Sequence, residues 1–568
     1  MKRLVVLVAL TLFGAISAFA QRTKLATDLV GRNDRTMVEV IIRYKIAPSN
    51  RHWNRVATHG GTVRSDFSFI KALHVSVPAS RLAALAADKD VEFITPNRPL
   101  GSKLYNTAGA VNAPTASNLG LDGTGVGVAV IDSGINNVTD LKGNPGTVVG
   151  NFDTLGGGPA DLYGHGTHVA GIIAGNGASS NCKTCNIELL GLAPGVSLVN
   201  FHALDLNGQG TDASVIYAIY GAIYFKNFYN IRVLNLSIGR PVYESYTLDP
   251  LCQAVEAAWK AGIVVVVAAG NDGRDNTAGT NGYGTITAPG NDPYVITVGA
   301  MNAMGTPNRG DDIMTTYSSK GPSPVDHVVK PDLVAPGNQV VSLMASNNAT
   351  LVVQNPANIP LQSYYKTSGN PNALSNRYFT LSGTSMATPV VSAAAALLLQ
   401  RNPTLTPDQV KARLMKTAYK VFPQSSTIVS GGQTFVVQYD VFTVGAGYLD
   451  IQAALADSSV ATLPAQSPIA AYDPTTSSVY FVNNSSALWG SSALWGTSTV
   501  WGSNAFTSTQ SALWGSSALW GSSALWGSST TQGFSALWGS SALWGSSALW
   551  GSNTTTNDAM DITVNGDN

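Results

Sequence analysis

Five largely apolar, β-branched runs constrain this chain more than any other feature. They are GVGVAVID (125–132), VSLVNFHAL (196–204), RVLNLSIG (232–239), IVVVVAAGN (263–271) and YVITVGA (294–300). They lack the alternation of a half-exposed strand, so they suit strands buried on both faces. Helical segments lie between and after them: GTHVAGIIAG, DASVIYAIYGAIYF, LCQAVEAAWKAG, TSMATPVVSAAAALLLQ and TPDQVKARLMKTAY. The last carries Thr406 at the N-cap and Pro407 at the first helical position. Strands alternating with helices predict an α/β domain over residues 105–457, a mostly parallel sheet with helices on both faces.

The flanks read differently. Residues 1–20 have a basic start, an apolar run from Leu4 to Phe13 and an Ala18-Phe19-Ala20 cleavage site. That is a signal peptide and predicts a secreted protein. No later stretch reaches the about 18 uncharged apolar residues of a membrane span, so the mature chain is expected to have no transmembrane segment. Residues 36–100 read as a small α+β module, with strands in MVEVIIRYKI, HVSVP and VEFITPN and helices in RHWNRVATHG and ASRLAALAAD. Residues 458–485 are rich in Pro, Ser, Thr and Ala and read as a linker.

Residues 486–568 form a low-complexity tail built on SSALWG. It holds nine of the 11 Trp, six residues apart within each triplet, with Phe506 and Phe534 between triplets. An even spacing keeps every Trp on one face of a strand, whereas a helix would scatter them. The repeat reads either as disordered low complexity or as a Trp-lined surface for adhesion, assembly or polysaccharide contact.

Lys+Arg and Asp+Glu balance at 33 each, which excludes an electrostatic nucleic-acid binder. Of three cysteines, Cys182 and Cys185 form a C-x-x-C in a polar loop, and Cys252 stands in a helical segment. No second pair supplies the about four ligands of a structural zinc. In an exported chain the pair reads as a local disulfide, with a thioredoxin-like redox role as the alternative.

The chemistry lies in three segments. GVAVIDSGI places Asp132 at the end of a buried strand, GHGTHVAG places His165 at a helix start, and LSGTSMATP places Ser385 at another. In a parallel sheet, strand C-termini and helix N-termini share one edge. A carboxylate, an imidazole and a hydroxyl therefore converge there. A serine needs a base to take its proton, and an imidazole needs a carboxylate to hold its tautomer. His165 and His168 are one helical turn apart, yet no third ligand accompanies them, so the metal reading lacks partners. His165, between two glycines, is the candidate base, and His168 the packed supporting residue.

These motifs together resemble the subtilases, the subtilisin-like serine proteases, over residues 36–457. The resemblance implies a serine endopeptidase made as a zymogen, with Asp132, His165 and Ser385 in the Asp-His-Ser order and peptide bonds cleaved through an acyl-enzyme. That order is the one known for subtilisin itself, so the resemblance supplies it. The resemblance makes Asn271 an oxyanion-hole donor beside the Ser385 backbone N–H. It makes Gly208, Gln209, Gly210, Ser237, Ile238 and Gly239 the backbone that flanks an extended polypeptide substrate, and Ala268, Ala269 and Gly270 a wall of the S1 pocket, with broad specificity. Arg240 departs from the small residue usual at its place, and would narrow the cleft or attract acidic side chains. Catalysis needs no cofactor. A structural calcium bound through Asp140 is a further implication, with the Cys182–Cys185 disulfide as the alternative device for that loop. The 36–100 module becomes an inhibitory propeptide, cleaved near 100–106. The contrasting expectation is a surface adhesion or glycan-binding protein that works through its Trp repeats and carries a vestigial protease domain.

Overall fold

The structure, a computed structural model, describes residues 24–26, 29, 31–96, 103–143, 148–277, 279–473, 478–481, 562 and 564–567. The signal segment, the start of the tail and all nine repeat tryptophans lie outside these residues. The chain forms two compact units, residues 1–100 and 101–568.

In the first unit, β1 (Met37–Tyr44), β2 (Thr62–Phe67), β3 (Ala72–Pro78) and β4 (Val91–Pro96) form an antiparallel sheet in the order β2-β3-β1-β4. Helices α1 (Asn50–Thr58) and α2 (Leu82–Ala86) complete it. Val40, Ile42, Val75, Val77 and Ile94 share a buried cluster with Val56, Leu82 and Leu85. The sequence reading lacks β2, whose residues are all exposed or only half-buried.

The second unit begins with α3 (Lys103–Ala110) and α4 (Pro114–Asn118). Its main sheet holds β5 (Gly127–Asp132), β6 (Val148–Asp153), β7 (Ser197–His202), β8 (Ile231–Leu236), β9 (Val264–Ala268), β10 (Ile296–Asn302), β11 (Ile313–Met314) and β12 (Leu333–Pro336). The order is β11-β10-β9-β8-β5-β7-β6, with β12 also on β10. Every pairing is parallel except that of β10 with β11. All residues of β5 and β9 are buried, which explains their unbroken apolar sequences.

Helices α5 (His165–Ala174), α6 (Asp212–Tyr224), α7 (Pro250–Lys260), α8 (Thr350–Gln354), α9 (Thr384–Arg401) and α10 (Pro407–Thr417) surround the sheet. Hairpin β13 (Val340–Leu343) and β14 (Tyr378–Leu381) and hairpin β15 (Ser425–Ser430) and β16 (Gln433–Gln438) follow. Helix α9 is buried almost throughout, and its alanines 393–396 let its backbone lie close to its neighbours. Among the described residues no helix is long and apolar enough to cross a membrane.

Two boundaries need correction. The fold does not close at 457, and residues 458–481 are not a free linker. Ala465, Ser467 and Ala470 are buried, and a further hairpin, β17 (Ala470–Asp473) with β18 (Ser478–Phe481), ends the segment. Its small residues look like linker composition but serve as core. Ser467 Oγ donates to Asp332 Oδ1 at 2.5 Å, and Lys411 Nζ donates to Ser467 Oγ at 2.9 Å. Nor is the segment to 568 wholly a low-complexity tail, since Ile562 and Asp567 are buried against this unit.

Candidate active site

Three elements meet at one sheet edge. Asp132 is the last residue of β5, His165 opens α5, and Ser385 is the second residue of α9. The fit of α5 against β5 rests on Gly166, where a Cβ would collide with the Gly134 carbonyl and crowd Asp132. Asp132 Oδ1 lies 2.7 Å from His165 Nδ1 and accepts the Ser133 N–H at 2.7 Å, with both side chains of the pair buried. Burial disfavours the His165 imidazolium. The adjacent Asp132 carboxylate outweighs this and, with Asp161 behind it, raises the group above its ordinary 6.5.

Asp161 is a functional neighbour that the sequence reading missed. Its Oδ1 accepts the Ser133 hydroxyl at 2.9 Å and the Gly164 N–H at 2.6 Å, and its Oδ2 accepts the Thr167 N–H at 2.8 Å. One buried carboxylate thus caps the start of α5 and ties it to the loop after β5. Burial pushes this carboxyl above the usual carboxylate range, against the pull of those donors. The local signal was an Asp four residues before the helix-opening His, a place suited to capping.

His168 faces the other way. Its Nε2 lies 3.1 Å from the carbonyls of Val340 and Phe379 on the β13–β14 hairpin, and its own carbonyl accepts the Ser342 hydroxyl at 2.7 Å. Full burial pushes its pKa down to about 3, so it stays neutral. It holds α5 to a hairpin.

The Ser385 hydroxyl is half-buried and donates to the Ser237 carbonyl at 3.0 Å. Behind it runs a chain of short contacts. The Ser237 hydroxyl donates to the Ser385 carbonyl at 2.8 Å, Asn235 Nδ2 donates to Ser237 Oγ at 2.9 Å, and Ser392 Oγ donates to Asn235 Oδ1 at 2.8 Å. Asn235 and Ser392 carry no motif and emerge only when α9 meets β8.

Asn271 Oδ1 accepts the Thr384 N–H at 2.9 Å. A backbone N–H only donates, so this contact fixes which end of the amide is oxygen. Its Nδ2 makes no hydrogen bond among the described residues. Gly383, with φ +138, brings the chain to this contact in a backbone conformation that side chains resist.

Of these groups, His165, Asn271, Thr384 and Ser385 line one open cleft of about 530 Å³. Gly208, Gln209, Gly210, Ser237, Ile238, Gly239, Ala268 and Gly270 line it too. Ala269 does not reach it. That residue is fully buried, and its N–H donates to Val298 while its carbonyl accepts from Thr287. Successive residues leaving β9 alternate in direction, so Ala268 and Ala269 cannot both face the cleft. Arg240 lines the cleft, but its guanidinium is bound by Asp212 and Asp249, each at 2.8 Å. Two carboxylates neutralise it, which removes the argument that it attracts acidic substrates.

Asp140 is buried below the site. Its Oδ1 accepts from the Ser179 N–H at 3.1 Å and the Tyr378 hydroxyl at 3.2 Å, and Arg377 lines the adjoining cavity. Calcium takes six to eight oxygen ligands, whereas Asp140 Oδ1 already accepts from two hydrogen donors, so that oxygen does not fit as a ligand of the ion. Among the described residues no group of three His, Cys, Asp or Glu is placed to hold a metal. Cys182 and Cys185 are joined by a disulfide in the neighbouring loop, and Cys252 is a buried free thiol.

A model of the subtilase family matches residues 123–447. Serine protease AprX of Bacillus subtilis is 35% identical over 65% of this chain and 79% of its own length. Subtilisin E of the same organism is 30% identical over 64% and 79%. A crystal structure described as a cold adapted subtilisin-like serine proteinase is 29% identical, covering 52% of this chain and 84% of its own, with a TM-score of 0.37.

Proposed function

The chain belongs to the subtilase family, and from that premise we propose that Asp132, His165 and Ser385 form its catalytic triad. It is a serine endopeptidase, acting on polypeptides. The 2.7 Å contact between His165 Nδ1 and Asp132 carries the assignment of roles. Asp132 keeps the Nδ1 proton, which leaves Nε2 as the base. Ser385 exchanges its hydrogen bond to Ser237 for one to His165 Nε2, passes its proton there and attacks the scissile carbonyl. The amine leaves with that proton, and water repeats the sequence on the ester.

Asn271 Nδ2 and the Ser385 N–H donate to the oxyanion, and the N-terminus of α9 adds its positive end. The backbone of Ile238 and Gly239, which lines the cleft, pairs with the substrate strand. Small walls at Ala268 and Gly270 and a neutralised Arg240 favour broad acceptance of apolar side chains. Residues 1–20 direct secretion. Residues 36–100 act as the intramolecular inhibitor and folding template of a zymogen, removed near 100–106. The reading as an adhesin with a vestigial protease domain is not favoured by a chain whose relatives are named as proteases.

The test is a pH profile of casein-peptide hydrolysis by the wild type and Asn271→Leu. Only the neutral imidazole accepts a proton, so a raised His165 pKa places the acid limb of kcat/KM above 6.5. A limb at or below that value contradicts the assignment. Asn271→Leu is expected to lower kcat about 10²–10³-fold with KM little changed. A loss confined to KM would remove Asn271 from the oxyanion role.

A further inference from the structure

Beyond the repeats the chain returns to the catalytic unit. Asp567 is buried, with its Oδ1 accepting from Arg274 Nη2 at 2.7 Å and from the Thr316 hydroxyl at 2.6 Å. Its Oδ2 accepts the Thr316 N–H at 2.7 Å. The receiving groups are themselves held in place. Arg274 Nε donates to Thr316 Oγ1 at 2.7 Å, its Nη2 also reaches Ser430 Oγ at 2.9 Å, and its guanidinium lies over the Phe435 ring at 5.1 Å.

The backbone of the segment is read as well as its carboxylate. Asn338 pairs with Asp567 in both directions, Oδ1 accepting the Asp567 N–H at 2.9 Å and Nδ2 donating to its carbonyl at 3.0 Å. Asn358 Nδ2 donates to the Val564 carbonyl at 2.6 Å. Gly566 has φ +62, and a Cβ there would strike Asn338 Oδ1 and Ser382 Oγ unless those side chains moved, so the seat favours glycine. Ile562 adds an apolar anchor in the main core.

The geometry points to a second peptide-binding site on the catalytic unit, separate from the substrate cleft, whose occupant is this chain's own segment from Ile562 to Asp567. It recognises a Gly-Asp sequence through a half-buried arginine, a backbone N–H and an asparagine clamp. The described residues on either side of the repeats, β18 and this segment, both belong to the catalytic unit. The segment stays bound by non-covalent contacts after the intervening chain is cut. This inference does not depend on the triad assignment.

The test uses the full chain carrying Ser385→Ala, to prevent self-digestion, with the recognition sequence of a specific foreign protease inserted after Gly551. After cleavage under native conditions, gel filtration followed by mass spectrometry reads whether the fragment with residues 552–568 travels with the rest. Retention is expected. Release from the otherwise unaltered chain, with or without unfolding of the remainder, overturns the proposal. Gly566→Val and Asp567→Asn, both outside the cleft, are each expected to release the fragment on cutting, and retention in both would overturn the assigned contacts.

Discussion

Ser385→Ala is expected to lower kcat on casein peptides about 10⁶-fold. That size comes from removal of the nucleophile in subtilisin, a protein of the same family. The loss is large because the hydroxyl is the atom that bonds to substrate, and no neighbour replaces it. Ser237, the nearest hydroxyl-bearing partner, points its Oγ at the Ser385 carbonyl inside the protein. Alanine removes one hydrogen bond, to the Ser237 carbonyl, and leaves the Ser237–Asn235–Ser392 chain intact. The variant should therefore fold, keep the oxyanion donors and fail only in turnover. It should also accumulate as an uncut precursor. Substantial hydrolysis by Ser385→Ala, with contaminating proteases excluded by a serine-directed inhibitor, would refute the nucleophile assignment.

The second large effect concerns stability. Asp332→Ala should lower the unfolding free energy by about 3–5 kcal/mol. Asp332 is fully buried between two fully buried lysines, Lys330 Nζ at 2.7 Å and Lys411 Nζ at 3.2 Å. Burial opposes its ionisation, but the two ammonium groups win and hold the carboxyl below its ordinary range. Burial likewise pulls Lys411 down to about 7 even with Asp332 present. Removing the carboxylate leaves two buried lysines without a counter-charge, faced only by carbonyls and Ser467, and Lys411 is driven further toward its neutral form. Urea unfolding in the Ser385→Ala background, where self-digestion cannot distort the transition, measures the loss. A change below about 1 kcal/mol, the scale of an exposed pair, would show that the cluster is solvated.

The parts of this fold that were legible in the sequence share a physical cause. Strands buried on both faces must be largely apolar, with any polar residue partnered, so β5, β7, β8, β9 and β10 stand out as runs. The strands missed are either released from that demand or too short to give a run. β6 ends the strand order of its sheet and mixes exposed with buried residues, and β12 is four residues long and ends in proline. Asp132, His165 and Ser385 were legible because glycines and small residues must crowd around them, giving each a motif. Asp161, Asn235 and Ser392 were not, because a buried polar residue looks ordinary until its partner from a distant element is known. Ser467 illustrates the opposite error. A serine in a stretch rich in Pro, Ser, Thr and Ala reads as solvent-exposed, and only the three-charge cluster beneath it explains why it is inside.

The burial of α9 also sets an order in time. Ser385 and its supporting partner Ser237 are separated by 148 residues, and α9 is sandwiched among strands that all precede it in the chain. During synthesis those strands emerge first, while the helix that must fill their centre is still unmade. Contacts of such long range are slow to form. Under the proposed triad, a growing polypeptide with Asp132 and His165 already outside the ribosome still lacks its nucleophile and does not cut itself or its neighbours. The helix that completes the core is also the element that carries Ser385, the proposed nucleophile.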